Sequence, residues 1–448
     1  MVRRYVARVR EFVVVALTAV LAACGGGGGA DSSSQATTTE LSAKAEVGKL
    51  IFNDATLSVS GQQSCATCHV ASRAFAGNDG LSTPLGGPSM NLPGLRATPS
   101  IMYASYTPTF FFASDGTPTG GFFRDGRVDT LAQQAQKPFI TSFEMANADA
   151  VAVLAKLMTR PYLSQFQAVF GASVTADADQ ALASMGAALA AYETEESAFH
   201  PFTSKFDRYQ DGTATLTASE LQGLALFNDP TKGNCNACHL STRASNDVRA
   251  LFTDFTYDSV GIPRNWTISA NQAGSALPYV PANGAAAMGD ASLYDYYDMG
   301  LCGPLRSDLD NRKSLCGAFK VPTLRNVAAK QNYFHNGEFT SLNDVVTWYA
   351  TRDTDAARWY RKQDGTLDTP YNDLPASLQR SINVDEVPYA PSTTQLSASE
   401  INLIVTFLCT LTDGYDTSNP GAYGQQAQCL AANATASNSA STNSASTQ

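Results

Sequence analysis

Two pentapeptides constrain this chain more than any other feature: Cys65-Ala66-Thr67-Cys68-His69 and Cys235-Asn236-Ala237-Cys238-His239. Both read C-x-x-C-H. Thiols three positions apart reach the two vinyl groups of one haem, and the adjacent His lies under the iron as proximal ligand. With nine Cys and four His in the chain, a chance match is expected on the order of 10⁻³ times. Two matches leave little room for a zinc or disulfide reading. The expectation is two covalently bound haem c groups, one held by Cys65, Cys68 and His69 and the other by Cys235, Cys238 and His239.

The segments around the motifs echo each other. Val47 to Asp54 leads into the first and Leu221 to Asp229 into the second, each an amphipathic helix pattern followed by a loop. Gly/Pro-rich stretches follow each motif, and then helix-like runs at Asp129–Gln136 and Ser341–Ala350. The offset of about 170 residues reads as an internal duplication. Residues 145–195 are Ala-rich with helical periodicity, and Asp211-Gly212 makes a junction. Few stretches alternate with period two. The expected fold is mainly α, with two cytochrome c-like haem domains, 42–211 and 212–429, and long haem-covering loops.

The chain ends carry different signals. Four Arg precede an apolar run from Phe12 to Ala23, too short for a membrane span but suited to a signal peptide over 1–23. Leu21-Ala22-Ala23-Cys24 resembles a bacterial lipobox, so the expectation is a periplasmic protein anchored to the outer membrane by lipid on Cys24. Residues 24–41 read as a flexible tether and 430–448 as a disordered tail. The net charge of −10 and the absence of a basic run argue against nucleic acid as a partner. Cys302, Cys316, Cys409 and Cys429 remain once the motif cysteines are set aside. In an oxidising compartment they permit three pairings, of which Cys302–Cys316 and Cys409–Cys429 close the shortest loops.

Ligand counting separates the two haems. The histidines are His69, His200, His239 and His335. None lies between His69 and Glu144, where the distal side of the first haem is expected, so its sixth position reads as open to peroxide or oxygen. Met90 and Met102 are the thioether alternatives.

Further motifs carry a resemblance. Phe122-Phe123-Arg124-Asp125-Gly126-Arg127, followed by Leu131, Gln134, Pro138, Glu144 and Met145, resembles the bacterial di-haem cytochrome c peroxidase and MauG family. So do Phe319 to Asn326, Tyr333-Phe334-His335-Asn336-Gly337, Phe252-Thr253-Asp254 and Gly261-Ile262-Pro263. The likeness spans roughly residues 45–412. It implies that the first haem reacts with hydrogen peroxide and that Gln134 and Glu144 line its distal pocket, with Pro138 between them. It also implies a six-coordinate second haem whose distal ligand, counted from His335, is Tyr349, as in the MauG type, in place of Met.

Three departures stand out. The family's Trp between the haems is Arg124 here, so the interhaem route differs. An interhaem calcium is implied by the resemblance, but Ala97 stands where its Asn ligand belongs, and Lys330 and Asn332 replace the Thr and Pro whose carbonyls complete the site. These changes weigh against tight calcium binding. Tyr257-Asp258-Ser259 replaces a usual Phe-His-Asn. The expected activity is therefore peroxide-driven oxidation of a partner protein or an electron-donor cytochrome. Peroxide detoxification and plain di-haem electron transfer are the alternatives.

Overall fold

The computed structural model describes residues 40–77, 80–243, 248–272, 275, 296–390, 395–422, 424 and 429. The expected signal peptide, the Cys24 anchor, nearly all of the tether and the tail lie outside them. A compact unit begins at Leu41. No helix among the described residues is long and apolar enough to cross a membrane.

The unit is mainly helical. Its helices are α1 Ala43–Asn53, α2 Cys65–Cys68, α3 Leu131–Ile140, α4 Ala150–Leu157, α5 Leu163–Phe170, α6 Ala178–Glu195, α7 Lys205–Gln210, α8 Ala218–Asn228, α9 Leu342–Thr351, α10 Ala356–Trp359 and α11 Ala398–Cys409. Three antiparallel pairs of two-residue strands are the regular β-structure of the described residues. Long loops carry the rest of the chain.

The two segments that echo each other in sequence pack alike. Ser42 caps α1 by accepting from the Ala45 N–H, and Thr217 with Glu220 forms a capping box on α8. Helix α1 lies across α6, and α8 lies across α11. Each crossing is made at a glycine. A Cβ on Gly48 would collide with the Ala188 carbonyl, and one on Gly223 with the Leu403 carbonyl. The backbones approach so closely that no larger residue fits.

Two apolar clusters follow. One joins Phe52, Phe139, Phe166, Met185 and Phe199; the other joins Phe206, Phe227, Phe252, Trp348 and Phe407. Each such buried side chain contributes about 1.5–3 kcal/mol. Polar residues tie the clusters together. The Arg325 guanidinium donates to both oxygens of Asp207 at 2.9 and 2.7 Å. Asp413 accepts from the Tyr103 hydroxyl and the Asn326 amide, each at 2.6 Å, and from the Thr203 N–H at 2.8 Å.

The expected helix over Asp129–Gln136 starts later and runs further. Thr130 forms a capping box with Gln133, which leaves Asp129 outside, and α3 continues through Pro138 to Ile140. Pro138 has no N–H for the Gln134 carbonyl, and the helix ends two residues later. Both disulfides form as the loop lengths suggested, Cys302–Cys316 and Cys409–Cys429.

Candidate active site: two haem cavities

The first cavity, about 290 Å³, is lined by the whole first motif, Cys65, Cys68 and His69. Ser64 precedes the short helix α2, which carries the two thiols one turn apart. The His69 Nδ1 lies 2.8 Å from the Phe75 carbonyl. With its proton committed there, the lone pair is left on Nε2 for iron. Burial lowers the affinity of His69 for a proton and keeps the ring neutral, as a ligand must be.

The second cavity, about 200 Å³, repeats the arrangement with Cys235, Cys238 and His239. His239 Nδ1 lies 2.8 Å from the Phe252 carbonyl, and burial again depresses its proton affinity. Burial pushes the thiols of Cys65, Cys235 and Cys238 up in pKa. A zinc site requires thiolates, so these pairs suit thioether bonds to a haem.

The far walls differ. In the first cavity α3 presents Gln134 and Pro138, and the turn after it presents Glu144. That turn is fixed by its backbone: the Glu144 and Ala146 N–H groups donate to the Thr141 carbonyl at 2.9 and 3.0 Å, and the Gly87 N–H donates to the Glu144 carbonyl at 2.8 Å. Burial raises the Glu144 pKa, opposed by the Thr141 hydroxyl and the charge of Arg127. The structure thus brings together Cys65, Cys68, His69, Arg124, Gln134, Pro138 and Glu144. Met90 does not line the cavity. Met102 is buried elsewhere, where its sulfur accepts from the Asn326 amide at 3.4 Å. Met145 lines the cavity and is packed into the first apolar cluster.

In the second cavity Tyr349, from α9, stands within an aromatic group. Its ring lies 4.9 Å from Trp348, 5.9 Å from Phe334 and 6.3 Å from Tyr389. No methionine lines this cavity among the described residues. His335 is at its edge, stacked on Phe319 at 3.7 Å, with Nε2 3.1 Å from Asp373. His200 lines neither cavity, and its Nε2 is 2.6 Å from the Thr194 carbonyl. Asp258, from the departing Tyr-Asp-Ser segment, also lines the second cavity.

Two residues of the first cavity escaped the sequence reading as site residues. Arg127 lines it, stacked over Phe123 at 3.6 Å and bonded to Asp125 at 2.9 Å. Glu193, on α6, is buried, its Oε2 has no hydrogen-bond partner, and burial lifts its pKa to about 8. Its signal was a carboxylate on the apolar stripe of Met185, Leu189 and Tyr192. The neighbouring acids Glu195 and Glu196 disguised it as part of an exposed helix end.

Two cavities, each lined by the two thiols and the imidazole of a C-x-x-C-H motif, define a c-type cytochrome with two haems. The chain also matches the family model described as di-haem cytochrome c peroxidase, over residues 42–215. It is 34% identical over 376 residues to the methylamine utilization protein MauG of Paracoccus denitrificans, covering 83% of this chain and 89% of that one. It is 28% identical to the cytochrome c551 peroxidase of Nitrosomonas europaea, covering 67% of this chain and 71% of that one. The fold is similar to that of the diheme peroxidase BthA from Burkholderia thailandensis, with a TM-score of 0.72 at 35% identity over 85% of this chain and 88% of that one. The chain belongs to the di-haem cytochrome c peroxidase and MauG family, a family of peroxide-dependent oxidoreductases with two c-type haems.

Proposed function

We propose that this protein reacts with hydrogen peroxide at the haem of His69 and passes the oxidising equivalents to an external donor, with the haem of His239 as its redox partner. The observation that carries the reading is the unlikeness of the two cavities. The first holds an amide and a carboxyl for handling peroxide, and the second encloses Tyr349 in aromatic rings.

Cys65, Cys68 and His69 would hold the first haem, and its iron would supply the redox chemistry that reduces peroxide. Neither Met90 nor Met102 lines the first cavity, and the Met102 sulfur accepts from Asn326, which supports a site left free for peroxide. Glu144 accepts a proton from bound peroxide at a carboxylate oxygen and returns it to the leaving oxygen, which heterolysis of the O–O bond requires. The Gln134 amide donates to the peroxide oxygens and orients them. Tyr349, which lines the cavity of His239, would be the residue that holds the second haem's iron from the side away from that histidine. A phenolate favours oxidised iron, so this haem suits storage of an oxidising equivalent.

The donor is a protein side chain on a partner or an electron-donor cytochrome. Two domains, 42–211 and 212–429, related by duplication, each hold one haem. The protein is exported to the periplasm and held at the outer membrane through lipid on Cys24.

EPR of the ferric holoprotein tests the reading. We expect one high-spin and one low-spin signal, and Tyr349→Phe should change only the low-spin one. Two low-spin signals in the wild type would mean a plain electron carrier. Adding peroxide without donor separates the enzyme types: slow decay of the oxidised protein marks the MauG type, whereas rapid turnover with reduced cytochrome c marks a peroxidase.

A further inference from the structure

A third cavity, about 120 Å³, lies between the two haem cavities. It shares Pro99, Phe123, Arg124 and Gln134 with the first, and Arg124, Lys320, Pro322 and Lys330 with the second. Its lining includes three cationic side chains, Arg124, Lys320 and Lys330, and no carboxylate. The Arg124 Nη2 donates to the Ala97 carbonyl at 3.1 Å, while its buried Nε has no partner. Lys320 donates to the Gly121 carbonyl. The Lys330 ammonium has no hydrogen bond or ion pair among the described residues. By contrast the nearby Arg96 is fully matched, bonded to Asp125 at 2.9 Å and to Asp298 at 2.5 and 2.7 Å.

Partly buried cations with no ion-paired carboxylate are costly, and a fold keeps them where a ligand brings the opposite charge. The strain shows in the proton affinities. Burial lowers Lys320 to about 8 against the pull of Asp125, Arg124 to about 10 with repulsion from Arg96 and an opposing pull from Asp298, and Lys330 to about 7 with repulsion from Arg124. Each haem carries two propionate carboxylates on the edge opposite the vinyl groups that the cysteines bind.

We propose that Arg124, Lys320 and Lys330 form a built-in cation site that binds haem propionates between the two cavities and does the work of a bound divalent cation there. The inference rests on the two-haem assignment and not on the peroxide chemistry. A calcium ion does not fit this place. Ala97 offers no side-chain oxygen, its carbonyl is taken by Arg124, and the Lys330 carbonyl accepts from the Tyr333 hydroxyl at 3.3 Å. No group of three or more potential metal-binding side chains occurs among the described residues.

The test is a spectroelectrochemical titration of the holoprotein, after the pyridine haemochrome assay has counted two haems. Positive charge beside a haem favours the ferrous form, so removing it should lower the midpoint potential. Lys330→Met should lower the second haem's ferrous/ferric ratio at fixed potential about tenfold, equivalent to about 59 mV for one electron. Arg124→Leu should lower both haems, because Arg124 lines both cavities. Lys330→Arg keeps the charge and should keep the wild-type potential, which separates charge from packing. Should Lys330→Met fail to incorporate two haems, Lys320→Met carries the same prediction for the second haem. Chelator or added calcium should leave wild-type potentials unchanged. Wild-type potentials in every neutral variant, or a calcium-dependent shift in the wild type, would overturn the proposal. A count of one haem would instead overturn the two-haem assignment.

Discussion

The two haem sites are alike on the side that fixes the haem and unlike on the side that faces it. Each proximal His has Nδ1 2.8 Å from a carbonyl, that of Phe75 or Phe252. Each site lies beside a helix crossing made at a glycine, Gly48 or Gly223. Besides these, the first cavity presents Gln134, Glu144, Arg127 and Glu193, whose Oε2 has no hydrogen-bond partner. The second presents Phe334, Tyr349 and Tyr389, and its carboxylates Asp258 and Glu386 are engaged: Asn383 donates to both, at 3.2 and 2.8 Å. Attachment therefore demands one geometry, while the proposed reactivity rests on whether the other lining groups are free to move a proton. The second half is also the one the disulfides brace; neither bridge falls in the first.

The largest break in this comparison should come from Glu144→Gln. It keeps the shape of the first cavity and removes the carboxylate proposed as its proton acceptor. We expect the stopped-flow rate with peroxide to fall about 10²–10⁴-fold, while the low-spin EPR signal of the second haem stays as in the wild type. Burial raises the Glu144 pKa above 4.5. As an acceptor it must be ionised, so the wild-type rate should decline as the pH falls through that raised value, and the variant should lack the decline. A rate near wild type would make Glu144 structural.

The disulfides give the next largest difference. Opening Cys409–Cys429 with the double Cys→Ser variant frees a crosslink of sequence separation 20. A loop of that size contributes about 3 kcal/mol. The loss should appear in urea unfolding followed at the second haem, and mild reductant should reproduce it. Equal weakening of both haem signals would mean that the halves unfold as one unit.

Much of this was legible before the structure, for physical reasons particular to each residue. The C-x-x-C-H motifs are legible because covalent attachment needs fixed atoms at fixed spacing. The short loops closed by both disulfides are also local. Gln134 and Glu144 were legible only through the resemblance, because an amide on a helix and a carboxylate in a turn have no signature of their own. What brings them to one cavity is the turn held by Thr141 and Gly87, a long-range arrangement. The cluster of Arg124, Lys320 and Lys330 was not legible, since residues about 200 positions apart in the chain meet only when the halves dock. Arg124 read as the loss of a Trp, and Lys330 as the loss of a Thr.

The smallest predicted effect concerns Glu193, which distinguishes the first cavity from the second by carrying a carboxyl with an unpartnered oxygen. Its folded-state pKa of about 8 lies above the ordinary 4.5. The folded protein therefore holds a proton that the unfolded chain releases between those values. The stabilisation is fully present below about 4.5 and is lost as pH rises through about 8, at a limiting slope of about 1.4 kcal/mol per pH unit. Glu338 titrates in the same window, and Lys330 and Lys320, lowered to about 7 and about 8, begin to titrate at its upper end, so the quantity to measure is the difference between wild type and Glu193→Gln in urea unfolding from pH 5 to 8. The variant should lose stability less steeply than the wild type over that range. Parallel curves would show that Glu193 is ionised in the folded protein and has found a counter-charge, and the first cavity would then lack the neutral carboxyl that sets it apart.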